Sequence, residues 1–462
     1  MNIKCVKEFD LKTEDISYFG MVPVNMGDGK IAYLCVHSKD NVDPGEEFFH
    51  FPEDTLKFTL FNEDGNVLWE KDLGKGVIPG TWFCPVIPLD LDKDGVDEIY
   101  FLGNTNPNAP LTMVCRVLEA ISPLTGETIG QWKWPMTTFE DRLSLAYRYY
   151  LIAGYAHGEP VLVTAQGTYG DMYLQGYGPG MVKKWEIKFP KDMEGPKASH
   201  LTPVIDINDD GVDELFWGER LISLETGEEV MCLDKNQNSH SDTIVPFVDY
   251  KTGKKYLYTT REGDEEIPPR VVTFDVDTGE IVWKAVEIGH MDYGWIANMG
   301  DEENLKKVAM AMRVIQHFGP KGQEVTGREL YYFDAFTGEP LELDLPFLGC
   351  DAMPVDINGD GISEFFCMRG DDAGTMFDQY GNVIFKIDEF GSTRGTRLLR
   401  ELPCEQLLIM RKDGKVQIYA DTDAVGSELF EFKNTYKGYH DFAERLMASG
   451  YNKVWSDSLC GI

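Results

Sequence analysis

Positive charge is scarce in this 462-residue chain, where 43 Lys and Arg face 78 Asp and Glu for a formal net charge of -35. Proteins that hold nucleic acid irrespective of its sequence displace phosphate counterions with clustered cations, and no Lys/Arg run of that kind occurs, which argues against such a partner. Long apolar runs are missing too. None approaches the roughly 18 residues of a bilayer-spanning helix, and the opening Met1-Asn-Ile-Lys-Cys-Val-Lys-Glu-Phe-Asp10 lacks the apolar stretch of an export signal. The nine cysteines (5, 35, 84, 115, 232, 350, 367, 404 and 460) are odd in number and scattered, with no CxxC pair or His partner at zinc spacing, which predicts buried free thiols. As it stands, the sequence predicts a soluble, cytoplasmic protein with no membrane partner; nothing in it sets the oligomeric state. Helical signal is thin: only Tyr439-His-Asp-Phe-Ala-Glu-Arg-Leu-Met-Ala-Ser-Gly450 has helix-forming composition closed by Gly. No Pro/Ser-rich linker divides the chain, so residues 1–462 are expected to form a single domain.

What the chain does have is one acidic stretch written three times. Asp90-Leu-Asp92-Lys-Asp94-Gly95-Val96-Asp97-Glu98, Asp206-Ile-Asn208-Asp-Asp210-Gly211-Val212-Asp213-Glu214 and Asp356-Ile-Asn358-Gly-Asp360-Gly361-Ile362-Ser363-Glu364 carry oxygen-bearing side chains at positions 1, 3, 5 and 9 and Gly at 6. A hard divalent cation takes six to eight oxygens, and alternating Asp/Asn in a tight turn aims side chains at one point, so the predicted ion is Ca2+ in a structural role. The position 7 carbonyls of Val96, Val212 and Ile362 would complete each set. A lone cluster of this kind is as readily a solvated turn; three with one spacing are not. An EF-hand would need a bidentate Glu at position 12, where Phe101, Trp217 and Cys367 stand instead. Short aromatic and β-branched runs follow each loop (Ile99-Tyr-Phe-Leu, Leu215-Phe-Trp, Phe365-Phe-Cys-Met), so each loop is read as a turn into a buried strand.

A second repeat interleaves with the first. Asp64-Gly65, Thr125-Gly126, Thr226-Gly227, Thr278-Gly279, Thr337-Gly338, Tyr380-Gly381 and Asp413-Gly414 are tight-turn signals, with Gly178 and Gly180 filling the long gap. They recur about fifty residues apart, the size of one four-stranded blade. A β-helix turns over in shorter coils and a sandwich does not repeat a hairpin at this interval. The sequence thus predicts an all-β, seven-bladed β-propeller with eight blades as the alternative, because eight hairpins can be counted but the last spacings shrink. The first strand would complete the last blade and so remove an exposed edge.

Candidate chemistry gathers near repeated strand ends. His240-Ser-Asp242 and Gly289-His290-Met-Asp292 each set a His two residues from an Asp, at comparable places in successive blades, fitting a base with its orienting partner or metal ligands; Trp295 follows as a substrate-binding candidate. Arg142-Leu-Ser-Leu-Ala-Tyr-Arg148-Tyr149-Tyr150, leading towards Tyr169, is dense in cations and phenols. A nearby Arg could lower a Tyr pKa and neutralise a uronate carboxylate, which acidifies the neighbouring C–H. Arg313 and His317 alternate along what reads as a strand with one polar face. A blander reading, core aromatics and solvated polar faces, fits the same residues.

The run Pro203-Val-Ile-Asp-Ile-Asn-Asp-Asp-Gly-Val-Asp-Glu-Leu-Phe-Trp-Gly218, then Thr226-Gly227-Glu, then His240-Ser-Asp242, resembles the calcium-loop β-propeller polysaccharide lyases, a group holding rhamnogalacturonan, ulvan and rhamnose–glucuronate lyases. The stretch from Ala153 to Tyr169 is similar to their blade before the second loop, and the likeness spans roughly residues 55 to 390. It implies β-elimination beside a uronic acid in an acidic oligosaccharide, with Tyr or His as base and acid and Arg on the carboxylate. By position the Tyr149-Tyr150 pair matches the tyrosine. Gln166 stands where such lyases tend to have Arg, and Asn104-Thr-Asn106 where His is expected. A rhamnosidase-like hydrolase on the same propeller and a non-catalytic glycan- or protein-binding propeller are the alternatives, since the calcium motif also occurs in adhesion propellers.

Overall fold

The computed structural model describes residues 1–45, 48–80, 82–134, 142–262, 268–301, 303–319, 322–349 and 352–435, without the side chains of 316–319, 322–325, 348–349 and 433–435. Eight antiparallel sheets follow one another, opening at Tyr18, Val86, Tyr149, Val204, Ser241, His290, Ala352 and Ser392. First strands such as Tyr149–Ala156 and Ser241–Val248 are buried almost throughout, whereas fourth strands such as Val67–Asp72 and Thr128–Lys133 face solvent on alternate residues or more. First strands also touch their counterparts in the next blade, as Tyr149–Ala156 does with both Val86–Leu89 and Val204–Ile205. They line the axis of a ring whose outer wall is made of fourth strands.

The fold is an eight-bladed propeller, which corrects the expectation of seven. The last spacing shrinks because Asp413-Gly414 joins the second and third strands of blade eight, Gln406–Met410 and Lys415–Asp421, whereas the turns before it follow third strands. The N-terminal strand Ile3–Asp10 pairs with Lys415–Asp421 and completes blade eight, closing the ring as expected. Among the described residues blade six alone has three strands, His290–Met299, Lys306–Gly319 and Gly322–Asp334, the last two pairing with each other. The stretch 439–450 lies outside the described residues; a helix, Glu428–Thr435, follows the last strand. No helix among the described residues is long and apolar enough to cross a membrane. The free-thiol expectation fails at Cys367, which is disulfide-bonded, and the burial expectation fails at Cys5, which is exposed.

Chain direction sorts residues onto two faces. All first strands start at one face, the entry face, which also carries the links between blades and the turns from second to third strand. The opposite, turn face carries the first-to-second-strand turns. The three acidic stretches are such turns in blades two, four and seven. Their geometry repeats: Gly95 N, Gly211 N and Gly361 N donate to Oδ2 of Asp90, Asp206 and Asp356 at 3.0, 2.9 and 3.0 Å. Leu91, Ile207 and Ile357 donate in the same way to Glu98, Glu214 and Glu364 at 3.1, 3.0 and 3.1 Å. Burial, with neighbouring carboxylates, pushes Glu98 and Glu214 up to about 7.

Position 8 of each loop has a task the sequence did not reveal. Asp97, Asp213 and Ser363 accept from the backbone N–H of Asn25, Tyr155 and Asn298 at 2.7, 2.6 and 3.1 Å, and each returns its own N–H to the same residue's carbonyl. Each partner belongs to the first strand of the preceding blade, so the loops fasten blade two to one, four to three and seven to six.

A second joint explains the recurrent Thr-Gly turns. Trp69, Trp185 and Trp283, on outer strands of blades one, three and five, donate Nε1–H to Pro123, Leu224 and Ala335 in the next blade at 2.6, 2.8 and 2.7 Å. The indole lies against Gly126, Gly227 or Gly338, all near φ +70°, where a Cβ would come within 2.9, 2.6 or 2.7 Å of the ring. Gly227→Ala is therefore expected to destabilise by about 3 kcal/mol, combining left-handed strain with overpacking. Gly253→Ala, at φ +71° with open space around it, carries the strain alone. Equal melting temperatures for the two variants would contradict the joint.

His37, at the entry-face end of a second strand, is buried with Nε2 3.0 Å from Thr59 Oγ1, and burial lowers its pKa to about 4. The unfolded chain takes up that proton near 6.5 and the folded one near 4, so stability falls as pH drops through that window, by up to about 3 kcal/mol. Melting followed from pH 7 to 4.5 should show that loss, and His37→Gln should blunt it.

Candidate active site

At the entry face the opening residues of successive first strands converge. His200 leads into blade four, His240 into blade five, and His290 begins blade six. Three of the chain's eight histidines thus sit one blade apart. Asp242 lies two residues after His240, in the first strand of blade five, Ser241–Val248, and Glu262 lies one residue beyond its second strand, Lys255–Arg261. His200 Nδ1 and His240 Nε2 stand 3.3 and 3.2 Å from Asp242 Oδ1. Glu262 turns one oxygen to His240 Nε2 and the other to His290 Nε2, while Asp292 holds His290 Nδ1.

Around this cluster lies an aromatic and cationic wall. Tyr169, in the second-to-third-strand turn of blade three, places its hydroxyl 3.1 Å from His200 Nε2, and its ring centroid is 4.5 Å from that of His240. The Arg148 guanidinium sits between Trp82 and Tyr169, 4.4 and 4.6 Å from their ring centroids. Tyr150 is buried, with its hydroxyl 2.7 Å from Thr168 Oγ1. Tyr169, Glu262, His290 and Asp292 keep partial exposure; His200, Asp242, Arg148 and Trp82 are buried behind them.

The electrostatics follow from burial and crowding. Burial pushes Asp242 up, with Glu262 and Asp292 adding to it, and pushes His200 down, with His240 and Arg148 adding to it. Burial opposes charge on both Glu262 and His290, but their contacts outweigh it: His240, and after it His290, holds Glu262 down, while Asp292, and after it Glu262, raises His290 to about 10. Burial likewise pushes Tyr150 up to about 12 despite Arg148, so the expected lowering of its pKa does not occur.

His200, His240, Asp242 and Glu262 fit a metal ion. Each offers one ligand atom and all four lie within 4.8 Å of one another. Two imidazole nitrogens with two carboxylate oxygens differ from the all-oxygen loops of the turn face and suit a borderline or hard divalent cation. Asp90, Asp92, Asp94 and Glu98 form a second such group, in the first acidic loop.

Of the residues singled out from sequence, the structure brings His240, His290, Arg148, Tyr150 and Tyr169 together. Tyr149 points the other way along its strand and packs against Trp134 and Met113, and Trp295 packs against Phe365 and Tyr332; both are core residues. Arg142 is exposed at the start of the short helix Leu143–Ala146. Arg313 lies one strand outward from His290, bonded to Glu329 at 3.1 Å; the His317 side chain lies outside the described residues. His200, Glu262 and Trp82 were missed. The signal for His200 was available, since 200, 240 and 290 repeat at the blade period, whereas Glu262 has no partner near it in sequence.

No protein-family model matches the sequence. Rhamnogalacturonan exolyase YesX of Bacillus subtilis (strain 168) is 25% identical over 298 residues, 56% of this chain and 46% of that protein, so the chain spans about half the length of the curated relative it matches. The crystal structure of exotype rhamnogalacturonan lyase YesX superposes with a TM-score of 0.75 at 18% identity, covering 96% of this chain and 80% of that one. The fold is that of the rhamnogalacturonan lyases. Rhamnogalacturonan lyase PL11 of Bacillus licheniformis gives a TM-score of 0.72 at 16% identity over 98% of this chain and 81% of that one. The likeness of fold therefore runs through nearly the whole ring, well past the segment matched by sequence.

Proposed function

We propose that this propeller cleaves rhamnose- and uronate-containing oligosaccharides by β-elimination at the entry face. The observation that carries the reading is the His200, His240, Asp242, Glu262 cluster with the Tyr169 hydroxyl against it, on a lyase fold. Asp242, Glu262 and Asp292 would by themselves repel an anionic sugar, and a divalent cation among them, with the His290 imidazolium beside it, would offset that charge. A divalent cation held by those four residues would neutralise the uronate carboxylate and make the adjacent C–H more acidic. Arg148 adds positive charge from behind. Burial pushes the Tyr169 phenol well up, so it stays protonated; with its hydroxyl 3.1 Å from the neutral His200 Nε2 it passes its own proton to that imidazole as it takes the one from carbon, and the electron pair of the broken C–H bond forms C=C as the glycosidic C–O bond breaks. His290, oriented by Asp292, returns a proton to the leaving oxygen. On the turn face the three acidic loops take Ca2+, a structural role consistent with their contacts to preceding blades.

The test is incubation with oligosaccharides cut from rhamnogalacturonan, followed by ultraviolet absorbance and mass. Elimination gives an unsaturated product that absorbs and weighs one water less than the hydrolytic product. Reducing sugar without that absorbance would assign the site to hydrolysis, and affinity without turnover would make it a binding module.

A further inference from the structure

We infer that Phe48 and Phe51 form a stacking platform for a sugar residue of the substrate remote from the bond that breaks, above all a 6-deoxyhexose with its apolar methyl; the inference rests on the oligosaccharide reading given above. Both lie in the loop between the second and third strands of blade one, hence on the entry face. Of the chain's 26 phenylalanines, these are the two exposed ones among the described residues, at 54% and 62%. Other exposed aliphatics, such as Val67, Ile129, Ile281 and Val383, are scattered along outer strands, the ordinary condition of a protein surface.

The loop does not merely hang loose. Asp40 Oδ2 accepts from Glu53 N and Asp54 N, each at 2.7 Å, and Asp54 Oδ2 accepts from Lys39 N at 2.9 Å. Val42 N donates to Pro79 O at 3.0 Å, tying the loop to the link that carries Trp82 and Phe83. Phe49, between the two exposed rings, turns inward. Its centroid lies 5.2 Å from that of Phe51 and 6.2 Å from that of Phe83, whose neighbour Trp82 stands 5.1 Å from His200. An aromatic strip thus runs from the platform to the cluster.

A pyranose offers a C–H face to the negative face of an aromatic ring, so sugars match a pair of held-out phenylalanines. A membrane surface does not fit. The loop carries Asp40, Asp43, Glu46, Glu47, Glu53 and Asp54 against few cations, and an anionic bilayer would repel it.

The test compares wild type with Phe48→Ala/Phe51→Ala, using calorimetric binding and kinetics on short and long rhamnogalacturonan oligosaccharides. The double variant should bind long oligosaccharides about tenfold more weakly and raise KM by the same factor. Short substrates and the melting temperature should be unchanged, and Phe48→Tyr/Phe51→Tyr should restore the long ones. Equal affinity of wild type and double variant for long oligosaccharides overturns the platform, as does an equal loss on short ones or a wild type that binds none. A wild type that binds long oligosaccharides through these rings but never cleaves them keeps the platform and overturns the elimination reading.

Discussion

Glu262→Gln is expected to reduce cleavage by at least about a thousandfold, with little change in folding. Glu262 supplies one oxygen to His240 on its own blade and the other to His290 on the next, so a single carboxylate joins the proposed cation site to the proposed proton-returning pair. The amide keeps the shape but halves the acceptor capacity and removes the charge. It weakens the ion's hold and releases His290 at once. Because Glu262 is partly exposed, the folded state should survive. The measurement is the rate of ultraviolet absorbance change at saturating oligosaccharide, paired with Mn2+ binding by the variant. Activity within tenfold of wild type would place the chemistry elsewhere in the ring.

Chelation should lower the melting temperature by roughly 10 °C, reversed by added Ca2+. Each loop that binds at a free cation concentration a hundred times its Kd contributes about 2.7 kcal/mol, so roughly 8 kcal/mol for three. The effect should exceed that of an ordinary surface site. In each loop the residue at position 8, between the candidate ligands at 7 and 9, fastens the preceding blade, so an emptied loop should loosen a joint as well as a turn. Differential scanning calorimetry with and without chelator measures it, and Asp97→Ala, Asp213→Ala and Ser363→Ala should each reduce the difference. An unchanged melting curve on chelation would remove the cation from the account.

These outcomes also separate what could be read from the chain alone from what could not. The turns, the all-β character and the lyase likeness were legible because they are local: a nine-residue loop and a Thr-Gly turn carry their own spacing wherever they occur. Blade count was harder, since the eighth blade borrows its last strand from residues 3–10 and its turn signal, Asp413-Gly414, comes one strand early. Tyr149 and Tyr150 could not be ranked in sequence; the pleat sends one to the core beside Trp134 and the other towards Thr168.

By itself the sequence determined a propeller with three acidic loops at like corners of its blades and placed His240, His290 and Arg148 near strand starts. Only the tertiary structure decided that His200 and Glu262 join them, that the metal-fitting cluster and the acidic loops occupy opposite faces, and that Trp295 is core. The reason is geometric: closing eight sheets about one axis brings together residues that begin different strands, and neither that meeting nor the burial that shifts their charges is encoded in neighbours along the chain.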